Sequence, residues 1–381
     1  MIWSILIMSF NLAVVGIGRL GLCFALNLEK AGHKVVGYDI RDDYIDSIND
    51  KTFRSSEPYL NEYVKNYSNF KATSSLKDVL DTSDMLFVTL RTESDENGKY
   101  NHDQIESFLE RLLSFGKQET QKHLVICSNV QPGYTDTVAE RVKEYNYTTT
   151  FNPETIAQGQ IIKDQLNPSI IIIGEEKDCT KKEDNRTPGN MLAEIYESMC
   201  VPTYDLHFMD RTSAELTKVG LNCSLTAKIS MANTIGDVAI RMGANPDKIL
   251  NAIGSDDRIG NKYFKFGFGY GGPCFPRDNR AFIRSAESVG VTAHMNIACD
   301  KTNEDHLEHQ LNHFCENRDK KNPIVARQVS FKENCPSIEE SEQLKFAVGL
   351  AHRGYSVIIA DSKEVIEQVR DIYGDLFTYA K

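Results

Sequence analysis

The sequence predicts an α/β chain in three parts: a Rossmann-like, doubly wound parallel sheet over residues 1–204, a long central helix with a helical middle domain over 205–320, and a shortened α/β domain over 321–381. Three observations predict it. An apolar run enters a Gly-x-Gly-x-x-Gly turn, strand-like and helical segments alternate through the first half, and residues 209–242 hold little glycine and no proline.

Leu12-Ala-Val-Val15 is apolar throughout and reads as a strand covered on both faces. It runs into Gly16-Ile17-Gly18-Arg19-Leu20-Gly21, after which Leu22, Ala25, Leu26 and Leu28 recur at helical spacing. This is the strand, turn and helix of a dinucleotide site. The first glycine makes the turn, the second lets the pyrophosphate approach, and the third packs helix on strand, with the helix N-terminus adding positive potential. Residues 34–38 form the next strand, and Asp39 follows 18 residues after Gly21, where a ribose-binding carboxylate belongs. Asp39 favours NAD, because its charge repels a 2′-phosphate. Arg41 keeps NADP open or is a solvated residue at a helix start.

Further strands are read at 85–90, 124–127 and 169–173, and helices at 103–115 and 135–145. Residues 175–190 are charged and carry proline and glycine, which marks a surface insertion. Within 209–242, Leu216, Val219, Leu225, Ile229, Ile235 and Val238 define an apolar helical stripe, a domain-joining spine or a dimer contact. Residues 244–319 read as helical. A helix at 343–353 and a strand at 355–360 belong to the last domain.

With 41% hydrophobic and 25% charged residues over 381 positions, the chain is long enough for two or three cores. A net charge of -11 argues against a nucleic-acid or anionic-membrane partner. The nine cysteines show no metal-ligand spacing and read as reduced, cytoplasmic thiols, with no metal expected. The first ten residues are apolar but too short for a membrane span and lack a basic flank; Met8 is a second candidate start.

Gly267-Phe-Gly-Tyr-Gly-Gly-Pro-Cys274-Phe-Pro-Arg-Asp278 delivers a thiol on a glycine-rich loop, with a carboxylate four residues on. Glycines let the backbone approach a ligand, and exposed amides accept an anion. Alone, the segment also fits a buried structural cysteine. Lys218 and Asn222 lie four apart on one helical face, so ammonium and amide can address one oxygen.

Gly16-Ile-Gly18, Asn152-Pro-Glu154, Ala214-Glu-Leu-Thr-Lys218-Val-Gly-Leu-Asn222, Arg258-Ile-Gly260, Gly271-Gly-Pro-Cys274-Phe-Pro-Arg-Asp278 and Phe331-Lys332 occur in that order. With them the chain resembles the nucleotide-sugar dehydrogenases of the UDP-glucose 6-dehydrogenase type. The resemblance implies oxidation of a UDP-sugar primary alcohol to a carboxylate, with two NAD and one water consumed. It gives Cys274 the covalent step, Lys218 and Asn222 the oxyanion, Asp278 a grip on Lys218 or water, and Glu154 the hydrolytic water. Glu154, Lys218 and Asn222 also touch substrate in this reading. Thr92, Asn129 and Arg277 join Gly16 to Gly21, Asp39 and Arg41 at the cofactor. Tyr263, Phe264, Lys265, Gly269, Gly271, Phe331 and Lys332 line the UDP-sugar pocket. Arg258 comes from a neighbouring subunit, implying a homodimer with a shared site.

Several family positions differ. Asn129 replaces a threonine, Gln158 a second acid, Arg277 a lysine, and Ser337 and Glu339 an aspartate and an arginine, while the last domain is shorter than usual. These leave two alternatives open: a UDP-N-acetylhexosamine dehydrogenase, or a sugar-nucleotide-binding protein with impaired turnover.

Overall fold

The computed structural model describes residues 9–156, 159–177, 187–316, 318–332 and 335–380; Gln158 and most of the expected insertion lie outside them. The chain divides into two units, residues 1–218 and 219–381, where the sequence suggests three segments.

The first unit runs β1 (Asn11–Val15), α1 (Arg19–Lys30), β2 (Lys34–Tyr38), α2 (Asp42–Asn49), α3 (Leu60–Asn66), β3 (Phe70–Thr73), α4 (Leu76–Thr82), β4 (Met85–Val88), α5 (Asp103–Leu113), β5 (Lys122–Ile126), α6 (Tyr134–Val142), β6 (Tyr147–Phe151), α7 (Ile161–Leu166), β7 (Ile170–Glu175), α8 (Pro188–Met199) and β8 (Asp205–Asp210). Its sheet has the order β3-β2-β1-β4-β5-β6-β7-β8. The period-two geometry of a strand divides β1 between two cores. Leu12 and Val14 enter one with the apolar face of α1, and Ala13 and Val15 enter the other with Ile105, Leu109 and Leu112 of α5. Helices on both faces cover a central strand, which therefore lacks polar alternation.

Two expectations change. The sheet continues through β8 to Asp210 instead of ending at 204, and β7 pairs antiparallel to β6, with β8 parallel to β7. Strand direction thus reverses at the β6/β7 boundary. The chain winds outward from β1 both ways, through β2 and β3 and through β4 and β5, so β1 and β4 flank the switch point where a dinucleotide binds.

Helix α9 (Arg211–Arg241) begins in the first unit and continues into the second. The second unit adds α10 (Pro246–Gly254), α11 (Phe275–Ser288), α12 (His294–Glu316), β9 (Ile324–Arg327), α13 (Glu342–His352), β10 (Val357–Ala360), α14 (Lys363–Tyr373) and β11 (Thr378–Tyr379). Its parallel sheet, ordered β11-β10-β9, packs Val357 and Ile359 against Leu344, Leu350, Val365 and Val369. Among the described residues no helix is long and apolar enough to cross a membrane.

Candidate active site

The end of β1 is shaped for a pyrophosphate. Gly16 takes φ +88° and donates its N–H to Tyr38 O (2.8 Å), tying the turn to β2. A Cβ on Gly21 would lie 2.3 Å from Gly16 O, whereas one on Gly18 would meet nothing within 4 Å. One glycine therefore allows helix to touch turn, and the other leaves space over the N-terminus of α1 for a ligand. Ile17 is buried, and Arg19 and Leu20 are half-buried in the first turn. The residues present fit a dinucleotide.

Asp39, 8% exposed, sits at the end of β2. Arg41 is not simply solvated there: its Nε and Nη2 bond the two Asp39 oxygens at 2.8 and 2.9 Å, and its guanidinium lies 4.1 Å from the Tyr44 ring centroid. A guanidinium already paired to both oxygens holds that carboxylate in place for a ribose. Beyond β4, Thr92 Oγ1 donates to Asn129 O (2.7 Å) and Ser128 Oγ to Leu90 O (2.6 Å), which fixes the loop carrying Asn129.

Glu154 follows β6. Asn152, buried ahead of it, donates to Ile172 O (2.9 Å) and accepts from Tyr196 Oη (2.7 Å), so the Asn-Pro-Glu backbone is anchored on both sides. Burial pushes the Glu154 carboxyl up to about 7, against the opposing pull of the Lys218 charge and a long contact from Gln165 (3.4 Å). That range suits a group that exchanges protons at neutral pH.

The buried face of α9 differs from the expected apolar stripe. Leu216 and Val238 are 41% and 53% exposed, while Glu215, Lys218, Asn222, Thr226, Ser230 and Asn233 are buried. Spacings of three and four place these polar groups along one side of the helix. Within the second unit, Asn222 Nδ2 donates to Asp278 Oδ2 (2.6 Å) and Arg277 Nε to Asp278 Oδ1 (2.9 Å). Asp278, fully buried, thus has both oxygens engaged by neighbours other than Lys218.

Farther along α9, Asn233 accepts from Gly267 N (3.1 Å) and donates to Phe268 O (3.3 Å). Gly267 O also accepts from His306 Nε2 (2.7 Å) and Gln310 Nε2 (2.9 Å), and the Asn303 amide pairs with Tyr270 N and O (2.8 and 2.9 Å). Sequence reasoning missed this clamp of Asn233, Asn303, His306 and Gln310. The helical spacing of Asn303, His306 and Gln310 on α12 was the available signal.

The glycines of the loop meet close neighbours. A Cβ on Gly269 would lie 2.3 Å from Asn303 Oδ1, one on Gly271 2.2 Å from Glu340 O, and one on Gly272 (φ +79°) 2.5 Å from the Phe331 ring. Phe331 is therefore in contact with the loop, and its N–H donates to Ser337 O (3.0 Å). Lys332 beside it is half-buried. Cys274 follows as the N-cap of α11, where the helix dipole favours negative charge. It is the one exposed cysteine among those described. By contrast, burial pushes the Cys200 and Cys223 thiols up to about 12, and Cys23, Cys127 and Cys299 are raised for the same reason.

Tyr263, 48% exposed at φ +60°, meets Phe275 edge-on, and Lys265 is exposed. Phe264 is a core side chain, 5% exposed against Ala232 and Leu250, so its ring lines no open pocket. Arg258 is 87% exposed and pairs with Asp256 (2.6 Å).

Residues 10–200 match the NAD-binding domain of the UDP-glucose/GDP-mannose dehydrogenase family, and residues 212–305 match its central domain. A UDP-glucose 6-dehydrogenase of Haloferax volcanii is 28% identical over 96% of this chain and 86% of its own length. A GDP-mannose 6-dehydrogenase of Pseudomonas savastanoi pv. phaseolicola is 26% identical over 92% of this chain and 81% of its own. The structure of a UDP-glucose dehydrogenase from Pyrobaculum islandicum superposes with a TM-score of 0.87 at 28% identity, covering 98% of this chain and 87% of the other.

Proposed function

Because the chain belongs to the UDP-glucose/GDP-mannose dehydrogenase family, whose NAD-binding domain it carries, we propose that it oxidises the primary alcohol of UDP-glucose to the carboxylate of UDP-glucuronate. The observation that carries this reading is the Cys274 thiol, exposed at a helix N-terminus in a glycine loop held by hydrogen bonds, beside an aspartate fixed by Asn222 and Arg277. A one-step alcohol oxidation needs no such nucleophile.

Bound NAD supplies the hydride acceptor in each oxidation. In the first, the sugar C6 hydroxyl gives up its proton to a water held by Asp278 and C6 gives up a hydride, leaving an aldehyde. Lys218 and Asn222 stabilise the oxygen as charge develops on it. The Cys274 thiolate adds to the aldehyde carbon, and the oxygen takes a proton, giving a thiohemiacetal. Loss of that proton and of a second hydride leaves a thioester. Glu154, ionised above about pH 7, takes a proton from water as it attacks the thioester carbon, and the thiolate leaves. The balance is two hydrides removed, one water consumed, three protons released and Cys274 regenerated. Thr92, Asn129, Asp39 and the 16–21 turn hold the cofactor, while Tyr263, Lys265, Phe331 and Lys332 hold the nucleotide end of the substrate.

NADH formed per UDP-glucose consumed tests the reading. Two supports it. One indicates a single-step oxidation, and none, alongside turnover of GDP-mannose or a UDP-N-acetylhexosamine, moves the assignment to that sugar nucleotide.

A further inference from the structure

Within Ala214-Glu-Leu-Thr-Lys218, one buried ionisable side chain has no task in the chemistry above. Glu215 is 0% exposed, and its carboxylate accepts hydrogen bonds from the backbone N–H groups of Gly133 and Thr135, the latter at 2.8 Å. Gly133 ends the turn that leads into α6, and Thr135 lies in the first turn of that helix. Gly133, the N-cap of α6 at φ +92°, has no capping side chain. A local serine or aspartate would satisfy those orphan amides at little cost, whereas an imported carboxylate loses its hydration on burial. That burial pushes the Glu215 carboxyl up to about 6, which still leaves it largely ionised at neutral pH.

The difference lies in what the two solutions connect. Residues 127–133 leave the carboxyl end of β5, which lies beyond β4 on the far side of the switch point from β2 and β3. The adenosine half of a dinucleotide lies over β2, so its reactive half lies over β4 and β5. This loop carries Asn129, and it is held at Ser128 by Leu90 O, at Asn129 by Thr92 and at Gln131 by His102 Nε2 (3.2 Å). Those three grips tie it to the segment that follows β4. Glu215 ties its distal end to the helix that presents Lys218, one turn farther on.

We propose that Glu215 is a positioning residue that sets the loop carrying Asn129 in fixed relation to Lys218 and thereby the alignment for hydride transfer. This rests on the oxidation proposed above. A misplacement of about 1 Å between reacting groups can lower a rate about a hundredfold without abolishing binding, so a side chain that touches neither substrate nor cofactor can act strongly on kcat.

The alternative is that Glu215 merely docks α9 on α6. A second contact between the same helices separates the two ideas: Arg211 and Thr212 bond Asp136 (2.8 and 3.0 Å), which touches no loop amide. In the full-length protein, Glu215→Gln is expected to lower kcat at least about tenfold with the sugar-nucleotide KM within about threefold. Asp136→Asn should lower Tm and leave kcat per folded molecule unchanged. Hydrogen exchange supplies a readout that needs no turnover. NAD should slow exchange across 128–135 in the wild type and fail to do so in Glu215→Gln. Wild-type kcat in folded Glu215→Gln, or equal protection of the loop by NAD in both proteins, overturns the proposal. A wild type inactive on every sugar nucleotide removes the oxidation reading, and exchange then decides whether Glu215 orders the loop. If Glu215→Gln does not fold, Glu215→Asp, with its acceptor drawn back by one methylene, gives the same two readouts.

Discussion

At Glu154 and Cys274 the environment, more than the residue type, marks the groups proposed to react. Of the cysteines described, most are buried where a thiolate would be desolvated, and Cys274 is exposed at a helix start. Burial raises the Glu154 carboxyl from 4.5 up to about 7, with Lys218 limiting the rise. A raised pKa keeps the neutral form at low pH, so a base of this kind gains activity as pH rises. The ionised fraction goes from roughly a tenth at pH 6 to roughly nine tenths at pH 8. Accordingly, thioester hydrolysis in single-turnover experiments should rise along a limb centred near pH 7. Glu154→Gln should lower the rate and abolish that limb; a limb unchanged in the variant assigns the titration elsewhere. The same shift acts on stability with the opposite sign. A folded-state pKa above the unfolded one favours the folded state at low pH, and this contribution fades as pH rises through about 7.

At the scale of elements, the glycine loop is built by α9 and α12. Four side chains on these helices bond the backbone at Gly267, Phe268 and Tyr270, and Gly269, Gly271 and Gly272 permit contacts that a Cβ would block. Asn303 satisfies both backbone groups of Tyr270, so Asn303→Ala leaves a buried donor and acceptor unpaired, at about 1–3 kcal/mol. Its expected effect is a lower Tm together with a fall in kcat, measured by thermal denaturation and steady-state NADH production. A fall in Tm alone would show that the clamp stabilises the fold without shaping the site. This element also shows where sequence patterning succeeds and stops. β1, β2, α1 and the extent of α9 were legible, because apolar runs and glycine turns report burial directly. The buried face of α9 was not, because polar groups stand on it among small apolar ones: Glu215, Asn222 and Asn233 bond partners 34 to 82 residues away that no local period encodes. β8 was missed for a related reason. Asp205, His207 and Phe208 are exposed on this edge strand, so its short alternation of Leu206 and Phe208 with polar residues does not report burial. β6, with three consecutive threonines, hides a buried strand behind polar letters.

At the scale of the molecule, each unit carries part of the proposed chemistry. The first provides the dinucleotide turn, Glu154 and Lys218, and the second provides Cys274, Asn222, Asp278 and the Phe331-Lys332 segment. The ordered motifs made the family readable, whereas the sugar is set by pocket shape, which short motifs do not encode. The net charge of -11 leaves phosphate binding to local amides and lysines, consistent with a small anionic substrate held at glycine turns. Central to the proposed mechanism is a covalent bond between the sugar and Cys274. Glu154→Gln incubated with NAD and UDP-glucose, quenched in acid and digested, should yield the Cys274 peptide heavier by one UDP-glucuronyl group, with two NADH formed per adduct. NADH accumulating while that peptide stays unmodified, or an adduct on any other residue, would contradict the covalent mechanism.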